Sequence, residues 1–482
     1  MNILFISAEA TPLAKAGGLA DVVGALPLAL RKLGVDVRIM MPRYEVLGGN
    51  PILETIIERV PVEVGGQIYD VRVHRGRLPD SDVDVYLLEN ETFLSHGPIY
   101  NEHGQTDPFF EMQRFLFFSK AALTVIPELN WTPDILHCHD WHTGIVPSLA
   151  SIMRGTVGMQ TVVTIHNLAH QGVWKATDVL GFLGFSEKDH DRFALRDRRG
   201  DFNLLQQAIR SASVVNTVSP TYATEILTPE YGEGLEEELR SKQPPVKGIL
   251  NGIDTTHFDP ATDHRIRVQY DRTSIERKRE NTLALHELCG FTPSLERMTF
   301  GFIGRLTEQK GVDLILQAQD AILKNGSRLI VLGTGMPEIE QALGELAKRY
   351  PDQVYCKLGF DAAFAQQLYA GSDALLMPSK FEPCGLGQMV AMRYGTIPIV
   401  RATGGLADTV PDVTSDPTRG LGFSFSPYEA AALSAAIDRA REYFGRPADW
   451  TALIQRCMGQ DLSWERSARA YLKLYESIST LV

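Results

Sequence analysis

At 482 residues the chain is too long for one ordinary hydrophobic core, so two domains are expected. Its 44% hydrophobic and 22% charged content describes a globular protein and excludes a disordered or fibrous one. The balance of 47 basic against 59 acidic residues, −12 overall, argues against general affinity for nucleic acid or anionic membranes, while leaving room for a local basic cleft around an anionic substrate. Five scattered cysteines (Cys138, Cys289, Cys356, Cys384 and Cys457) have neither metal-site spacing nor a disulfide framework, which fits a reducing cytoplasm.

The apolar start, Met1 to Ala8, is too short to span a membrane and lacks a basic leader, so it reads as a buried strand. Short apolar runs then alternate with helical patterns, as in doubly wound parallel sheets. The first half predicts strands at Ile3–Ser7, Val35–Met40, Val83–Leu88, Ile135–His137, Thr161–Ile165 and Ser213–Val218. Ser219-Pro220 then supplies an N-cap and a first-turn proline for a helix. Gln243 to Gly248, followed by Asn251-Gly252, has linker composition and marks the domain boundary. The second half predicts strands at Met298–Ile303, Leu329–Leu332, Val354–Leu358, Ala374–Met377 and Ile397–Val400, with a helix opened by Gly335-Met336-Pro337. One pentapeptide occurs in each half, Gly17 to Asp21 and Gly404 to Asp408, which supports two related architectures. The expectation is an α/β protein of two similar domains facing each other across a cleft, with ligands at the carboxyl ends of the strands.

Five stretches could carry chemistry. Lys15-Ala16-Gly17-Gly18 offers backbone N–H groups and a cation before a helix, but an ordinary tight turn with a solvated lysine reads these residues equally well. His137-Cys138-His139-Asp140-Trp141-His142 invites a metal reading, yet the aspartate stands one position early for a His-x-His-x-Asp-His site and no second ligand cluster follows. These groups fit the lining of a polar cleft better. His166-Asn167, ending an apolar run, could bond sugar hydroxyls or only its own loop. Arg305 and Lys310 place two cations where a helix begins, unfavourable for the helix but suited to clamping phosphate oxygens. Phe381 to Gly387 combines the carboxylate of Glu382 with glycines on a strand-to-helix turn. Its amides suit an anion, whereas Glu382 should face something neutral, so a sugar attached to a phosphate satisfies both; a turn with a surface acid is the plain alternative.

These stretches together resemble bacterial glycogen synthases and the plant starch synthases. The resemblance rests on KAGGLADVVGALP from Lys15, HCHDWHTG from His137, TIHNLAHQG from Thr164, NTVSPTYATEI from Asn216, LNGID from Leu250, GRLTEQKG from Gly304, FEPCGLG from Phe381 and RATGGLADTV from Arg401. DLSWERSARAY from Asp461 resembles the family's closing helix. It implies a GT-B fold: a Rossmann-like domain over 1–245, a nucleotide-sugar-binding domain over 246–460, and a final helix over 461–482 returning to the first. It also implies glucose transfer from ADP-glucose to the non-reducing end of an α-1,4-glucan, with retention, ADP-glucose being a co-substrate and neither cofactor nor metal being needed. No nucleic-acid or membrane partner is implied. The compartment would be the bacterial cytoplasm, or a plastid had a transit peptide been removed.

Carried over by position, the resemblance gives Arg305 and Lys310 the diphosphate, Glu382 the donor glucose, and His166 a contact to that glucose near its 6-hydroxyl. Asp140 and Asn251 would line the sugar site, and Lys15, Gly17, Gly18 and Asp21 would face the donor from the first domain. Phe360 stands where the family often has a tyrosine stacked on adenine. Cys384, Gly385, Leu386 and Gly387 would form the turn at the donor. Gly387 replaces a common threonine, Met389 and Val390 depart from the usual residues, and Lys380 replaces a common arginine and so cannot make a planar bidentate contact. These departures bear on nucleotide preference, and a UDP-glucose-using or initiating glucosyltransferase is the alternative within the class. Outside it stand a sugar-nucleotide epimerase, a metallohydrolase and a non-catalytic glucan-binding protein.

Overall fold

The computed structural model describes residues 1–45, 47–49, 51–100, 107–186, 193 and 200–479. They form two compact units, one of 1–218, 223–251 and 464–482, the other of 219–222 and 252–463. No helix among the described residues is long and apolar enough to cross a membrane.

The first unit holds β1 (Asn2–Ile6), β2 (Asp36–Pro42), β3 (Glu54–Val64), β4 (Gln67–Arg77), β5 (Asp84–Glu89), β6 (Ile135–His139), β7 (Gln160–Ile165), a short hairpin of β8 (Val173–Lys175) and β9 (Asp201–Asn203), β10 (Val214–Thr217) and β11 (Lys247–Gly248). The main sheet runs β11-β10-β7-β6-β1-β2-β5-β4-β3, parallel except where β4 pairs antiparallel with β3 and β5. From β1 the chain winds one way through β2 and returns to wind the other way through β6, β7 and β10. The switch between β1 and β6 therefore leaves an opening at their carboxyl ends, where ligands bind in open sheets of this kind. Of the strands predicted from apolar runs, β6 and β10 are buried throughout and β1, β5 and β7 at all but one terminal residue, as strands covered on both faces are. The β3–β4 hairpin was not anticipated.

The second unit holds β12 (Thr299–Ile303), β13 (Arg328–Gly333), β14 (Val354–Leu358), β15 (Ala374–Met377), β16 (Ile397–Arg401) and β17 (Phe423–Phe425), all parallel in the order β14-β13-β12-β15-β16-β17. That is a doubly wound order with its switch between β12 and β15. Both expected helix starts are present. Pro220–Glu225 is capped by Ser219, whose Oγ accepts from the Tyr222 amide at 3.1 Å, and Pro337 opens the helix to Arg349.

The last helix, Trp464–Ser479, completes the core of the first unit. Trp464, Ala468, Tyr471, Leu474, Tyr475 and Ile478 are buried among Leu19, Val22, Leu26 and Leu30 of the helix Gly18–Lys32 and residues of β1 and β2. The helix also enters a chain of buried hydrogen bonds. The Tyr475 hydroxyl meets His137 Nδ1 at 2.8 Å, and His137 Nε2 meets Thr164 Oγ1 at 2.7 Å. Thr164 donates to Asn216 Oδ1 at 2.8 Å, and Asn216 Nδ2 donates to the Tyr471 oxygen at 3.1 Å. Because Thr164 gives its own proton to Asn216, the proton in the His137 contact must come from Nε2, leaving His137 Nδ1 to accept from Tyr475. Tyr475→Phe removes that donor and leaves a buried acceptor unpaired, so it is expected to destabilise the protein by about 1–3 kcal/mol in chemical denaturation. An unchanged midpoint would show that the chain of bonds contributes nothing.

Candidate active site

The two switch points collect most of the residues singled out from sequence, each set within its own unit. In the first unit Lys15 and Gly17 lie in the loop after β1, Gly18 and Asp21 in the first turn of the helix Gly18–Lys32, and Asp140 in the turn after β6. His166 follows β7, and Asn251 lies beyond β11. In the second unit Arg305 and Lys310 follow β12, Phe360 follows β14, and Glu382 with Cys384, Gly385, Leu386 and Gly387 follows β15.

Within the second unit, the loops after β12 and β15 are bonded together. Lys310 Nζ donates to both Glu382 oxygens, at 2.9 and 2.7 Å, and Ser379 Oγ donates to Glu382 Oε2 at 3.0 Å. The Lys380 amide donates to the Gln309 carbonyl at 2.9 Å. Glu382 is only 6% exposed, so its charge has little water to screen it and depends on these donors. Lys310 has three N–H bonds and gives two to Glu382, so one remains for a third oxygen. Arg305 is exposed and turns its guanidinium to Gln309 Oε1 at 3.2 Å. Phe360 is 90% exposed, a bare aromatic face at the end of β14.

Close backbone approach fixes this arrangement. Gly311, at φ 72°, lies against the Pro378 carbonyl, where an added Cβ would come within 2.1 Å of the oxygen. Gly404 and Gly405 press on the Glu382 turn from the other side: a Cβ would stand 2.0 Å from the Glu382 carbonyl oxygen and 2.1 Å from that of Cys384. The Gly405 amide donates to the Glu382 carbonyl at 3.1 Å. Gly387 begins the helix Gly387–Arg393, while Gln388 Nε2 reaches back to the carbonyls of Cys384 and Gly385 at 3.1 and 3.0 Å.

The related pair in the first unit is built differently. Gly18 has open space where a side chain would stand, and the Gly17 amide, with that of Ala16, donates to Glu9 Oε2 at 2.7 and 2.5 Å. Tyr100 donates to the other Glu9 oxygen. Glu9 thus takes the amide of Gly17, which the resemblance gives to the donor, together with that of Ala16. The signal for it, the first acid after the first strand, was present but unused. Lys15 Nζ pairs with Asp21 at 2.6 Å, an exposed pair of the kind worth under about 1 kcal/mol.

Asp140 adopts φ 53°, unusual for a residue with a side chain, and its Oδ1 accepts from the amides of His166 at 2.7 Å and Asn167 at 3.4 Å. Burial pushes its carboxyl up to about 7, against the pull of those two amides and with a further push from Glu9. The histidines are each engaged with different partners. His137 belongs to the chain ending at Tyr475, His139 Nδ1 meets His166 Nε2 at 3.0 Å, and His142 stacks on Tyr100 with centroids 4.7 Å apart. Among the described residues no group of three or more His, Cys, Asp or Glu side chains is arranged to hold a metal. Asn251 is buried, and its Oδ1 has no hydrogen-bond partner among the described residues.

Two doubly wound units with these switch-point loops define a glycosyltransferase of the GT-B type. A family profile described as "Starch synthase catalytic domain" matches residues 2–241, and one described as "Glycosyl transferases group 1" matches residues 297–442. The chain is 43% identical over 480 residues to a glycogen synthase of Gloeobacter violaceus, covering 99% of both, and 40% identical over 486 residues to one of Thermotoga maritima, covering 99% of this chain and 98% of the other. The catalytic domain of starch synthase IV from Arabidopsis thaliana, bound to ADP and acarbose, superposes with a TM-score of 0.90 at 34% identity, covering 99% of both chains. A sucrose-phosphate synthase of Thermosynechococcus elongatus shares the fold at a TM-score of 0.62 and 19% identity, with full coverage of both. The chain belongs to the glycogen and starch synthase family.

Gly405→Ala is expected to displace the Glu382 turn and lower kcat/KM by at least about 10-fold, since the clash falls on backbone that cannot rotate away. Steady-state kinetics beside a thermal melt would check it, and wild-type kinetics would mean that the turn moves without consequence. A second expectation concerns acid. Burial depresses His142 and His166 to about 3 and holds His137 and His139 well below their usual value. A depressed histidine is protonated first in the unfolded chain, so its contribution is present above about pH 6.5 and is lost as pH falls toward 3. Asp140 and the buried Asp373, raised to about 6, act in the opposite direction between about 4 and 7, but His286, also depressed to about 3, joins the other histidines, so two groups stand against five. Unfolding free energy should therefore fall from pH 7 to 4, and His142→Phe should flatten the slope by up to about 1.4 kcal/mol per pH unit. Parallel slopes for the two proteins would refute the assignment.

Proposed function

We propose that this protein transfers the glucosyl group of ADP-glucose to the non-reducing end of an α-1,4-glucan, with retention of configuration, in the cytoplasm of a bacterium. The observation that carries the reading is the buried contact of Lys310 with both oxygens of Glu382, beside Arg305 at a switch point. A carboxylate facing a donor sugar would repel the diphosphate attached to it. Lys310 answers that conflict by neutralising Glu382 while keeping one N–H for a phosphate oxygen. Arg305, exposed and bonded to Gln309, can turn its fork to the same diphosphate.

In the reaction the bond from the anomeric carbon to the diphosphate oxygen breaks and a bond to the acceptor's 4-oxygen forms on the same face. The acceptor proton passes to the departing phosphate oxygen. Arg305 and Lys310 stabilise the charge that accumulates on ADP, which removes the need for a separate general acid. Glu382 supports the positive character that develops at the sugar. His166 contacts the donor glucose near its 6-hydroxyl, and Asp140 fixes the His166 loop through its backbone amide. Asn251 directs its unpartnered oxygen at a sugar hydroxyl. Lys15 and Gly17 of the loop and Gly18 and Asp21 of the helix start that follows it face the donor from the first unit, with Glu9 as their internal brace. Phe360 stacks on the nucleotide base, where a purine covers more of the ring than a pyrimidine. The turn from Cys384 to Gly387 takes the phosphates, and no metal ion is required.

Glu382→Ala is expected to remove at least about 99% of turnover with the fold retained, because the charge stabilisation it gives operates in a dry site. Lys310→Ala should raise KM for the donor and lower kcat together. Initial rates on glycogen with ADP-glucose and UDP-glucose test the donor: at least about a tenfold preference for ADP-glucose is expected. A UDP-glucose preference would overturn that assignment, and turnover near wild type in Glu382→Ala would overturn the role of the carboxylate.

A further inference from the structure

His139 is wholly buried, and the mechanism above does not use it. Its Nδ1 lies 3.0 Å from His166 Nε2, and its Nε2 is buried without a hydrogen-bond partner among the described residues. The groups around its ring offer no alternative. Phe5 packs on it with centroids 5.2 Å apart, and His137, 4.3 Å away, has both nitrogens engaged by Thr164 and Tyr475. The Thr143 hydroxyl is taken up with the His139 backbone, accepting from its amide and donating to its carbonyl.

Two arrangements of the shared proton are available. If His139 carries its proton on Nε2, that N–H is an orphan donor in a dry site, and Nδ1 accepts from His166. If His139 carries it on Nδ1, that N–H donates to His166 Nε2 and only a lone pair is left facing apolar surroundings. Orphaned buried N–H groups are the rarer and costlier of the two, which selects the second arrangement. His166 Nε2 is then an acceptor, and the proton of the neutral His166 ring must sit on Nδ1.

We infer that His139 is a positioning residue that fixes the tautomer of His166, so that His166 presents Nδ1–H as a hydrogen-bond donor to an oxygen of its sugar ligand. This rests on the assignment of His166 to the sugar site made above. Burial keeps both rings neutral through the ordinary pH range, so the tautomer does not depend on mild acidification. A merely structural His139 would tolerate any substitution that preserved packing. A positioning His139 requires a donor at the place of Nδ1.

Two measurements on the full chain test this. With ¹⁵N-histidine labelling, two-bond ¹⁵N–¹H correlation spectra distinguish a protonated Nδ1 from a protonated Nε2, and the His166 signals are those missing from His166→Gln. The expected result is a protonated Nδ1 on His166, and a protonated Nε2 overturns the inference. In kinetics, His139→Leu should lower kcat/KM by about tenfold, the order of one lost hydrogen bond with a partner left unsatisfied. His139→Asn, whose amide nitrogen stands near the place of Nδ1, should recover much of that loss, and His139→Gln, whose amide stands nearer Nε2, should not. If His139→Leu fails to fold, the Asn and Gln variants carry the comparison, and equal rates in those two overturn the inference. Full activity in His166→Ala would instead remove His166 from the sugar site, while the spectra would still decide the tautomer.

Discussion

The second unit is organised around a carboxylate that has almost no water. Glu382 is held at the end of β15 by Lys310 and Ser379, and a buried charge of this kind persists only while its partners stay in place. The neighbouring backbone meets that condition. The chain after β12 must pass close enough to Pro378 to deliver Lys310, which only a glycine at 311 allows. The helix after β16 must press on the carbonyls of Glu382 and Cys384, which requires Gly404 and Gly405. Three strand-end loops are thus fitted to one another through backbone contacts. The doubly wound order supplies the opening in which they meet.

The first unit meets a similar demand with hydrogen bonds between neutral groups. Three histidines of β6 and the turn that follows it are buried and His166 after β7 is partly so, and desolvation keeps all four neutral. His137 has both nitrogens bonded, and its partners extend to two tyrosines of the last helix. Asp140 carries its strained backbone because its carboxylate ties the amides of the His166 loop. In one unit electrostatics is settled by an ion pair, in the other by tautomers.

The parallel strands were legible because strands buried on both faces read as uninterrupted apolar runs, as in Ile3–Ser7 or Ala374–Met377. The β3–β4 hairpin was missed because it alternates, although Gly65-Gly66 between Val60, Val62, Val64 and Val71, Val73 is a strong turn signal. Lys310 and Glu382 were each singled out from local chemistry, but their mutual contact spans 72 positions and had no local signature. Glu9 was overlooked for a related reason. An acid after a strand carries no meaning until the amides of Ala16 and Gly17 are known to face it. The shared pentapeptide was read as evidence of similar architecture, yet its two copies differ in packing: Gly404 and Gly405 are pressed against backbone, whereas Gly18 stands open. Composition encodes which residues can approach closely, and topology decides whether anything is there to approach.

The membership of the helix Trp464–Ser479 in the first unit has a consequence for how the molecule is made. A ribosome releases the first 251 residues long before it reaches Trp464, and domains generally fold as they emerge. The nascent first unit must therefore wait, with the groove that receives Tyr471, Leu474 and Tyr475 uncovered, while some two hundred residues of the second unit are synthesised and folded. Until the last turn of the helix arrives, His137 and Asn216 lack their tyrosine partners and the apolar face of the helix Gly18–Lys32 meets water. Closure of the first unit thus depends on a segment made only after the whole second unit, so a chain interrupted before Trp464 leaves that core open.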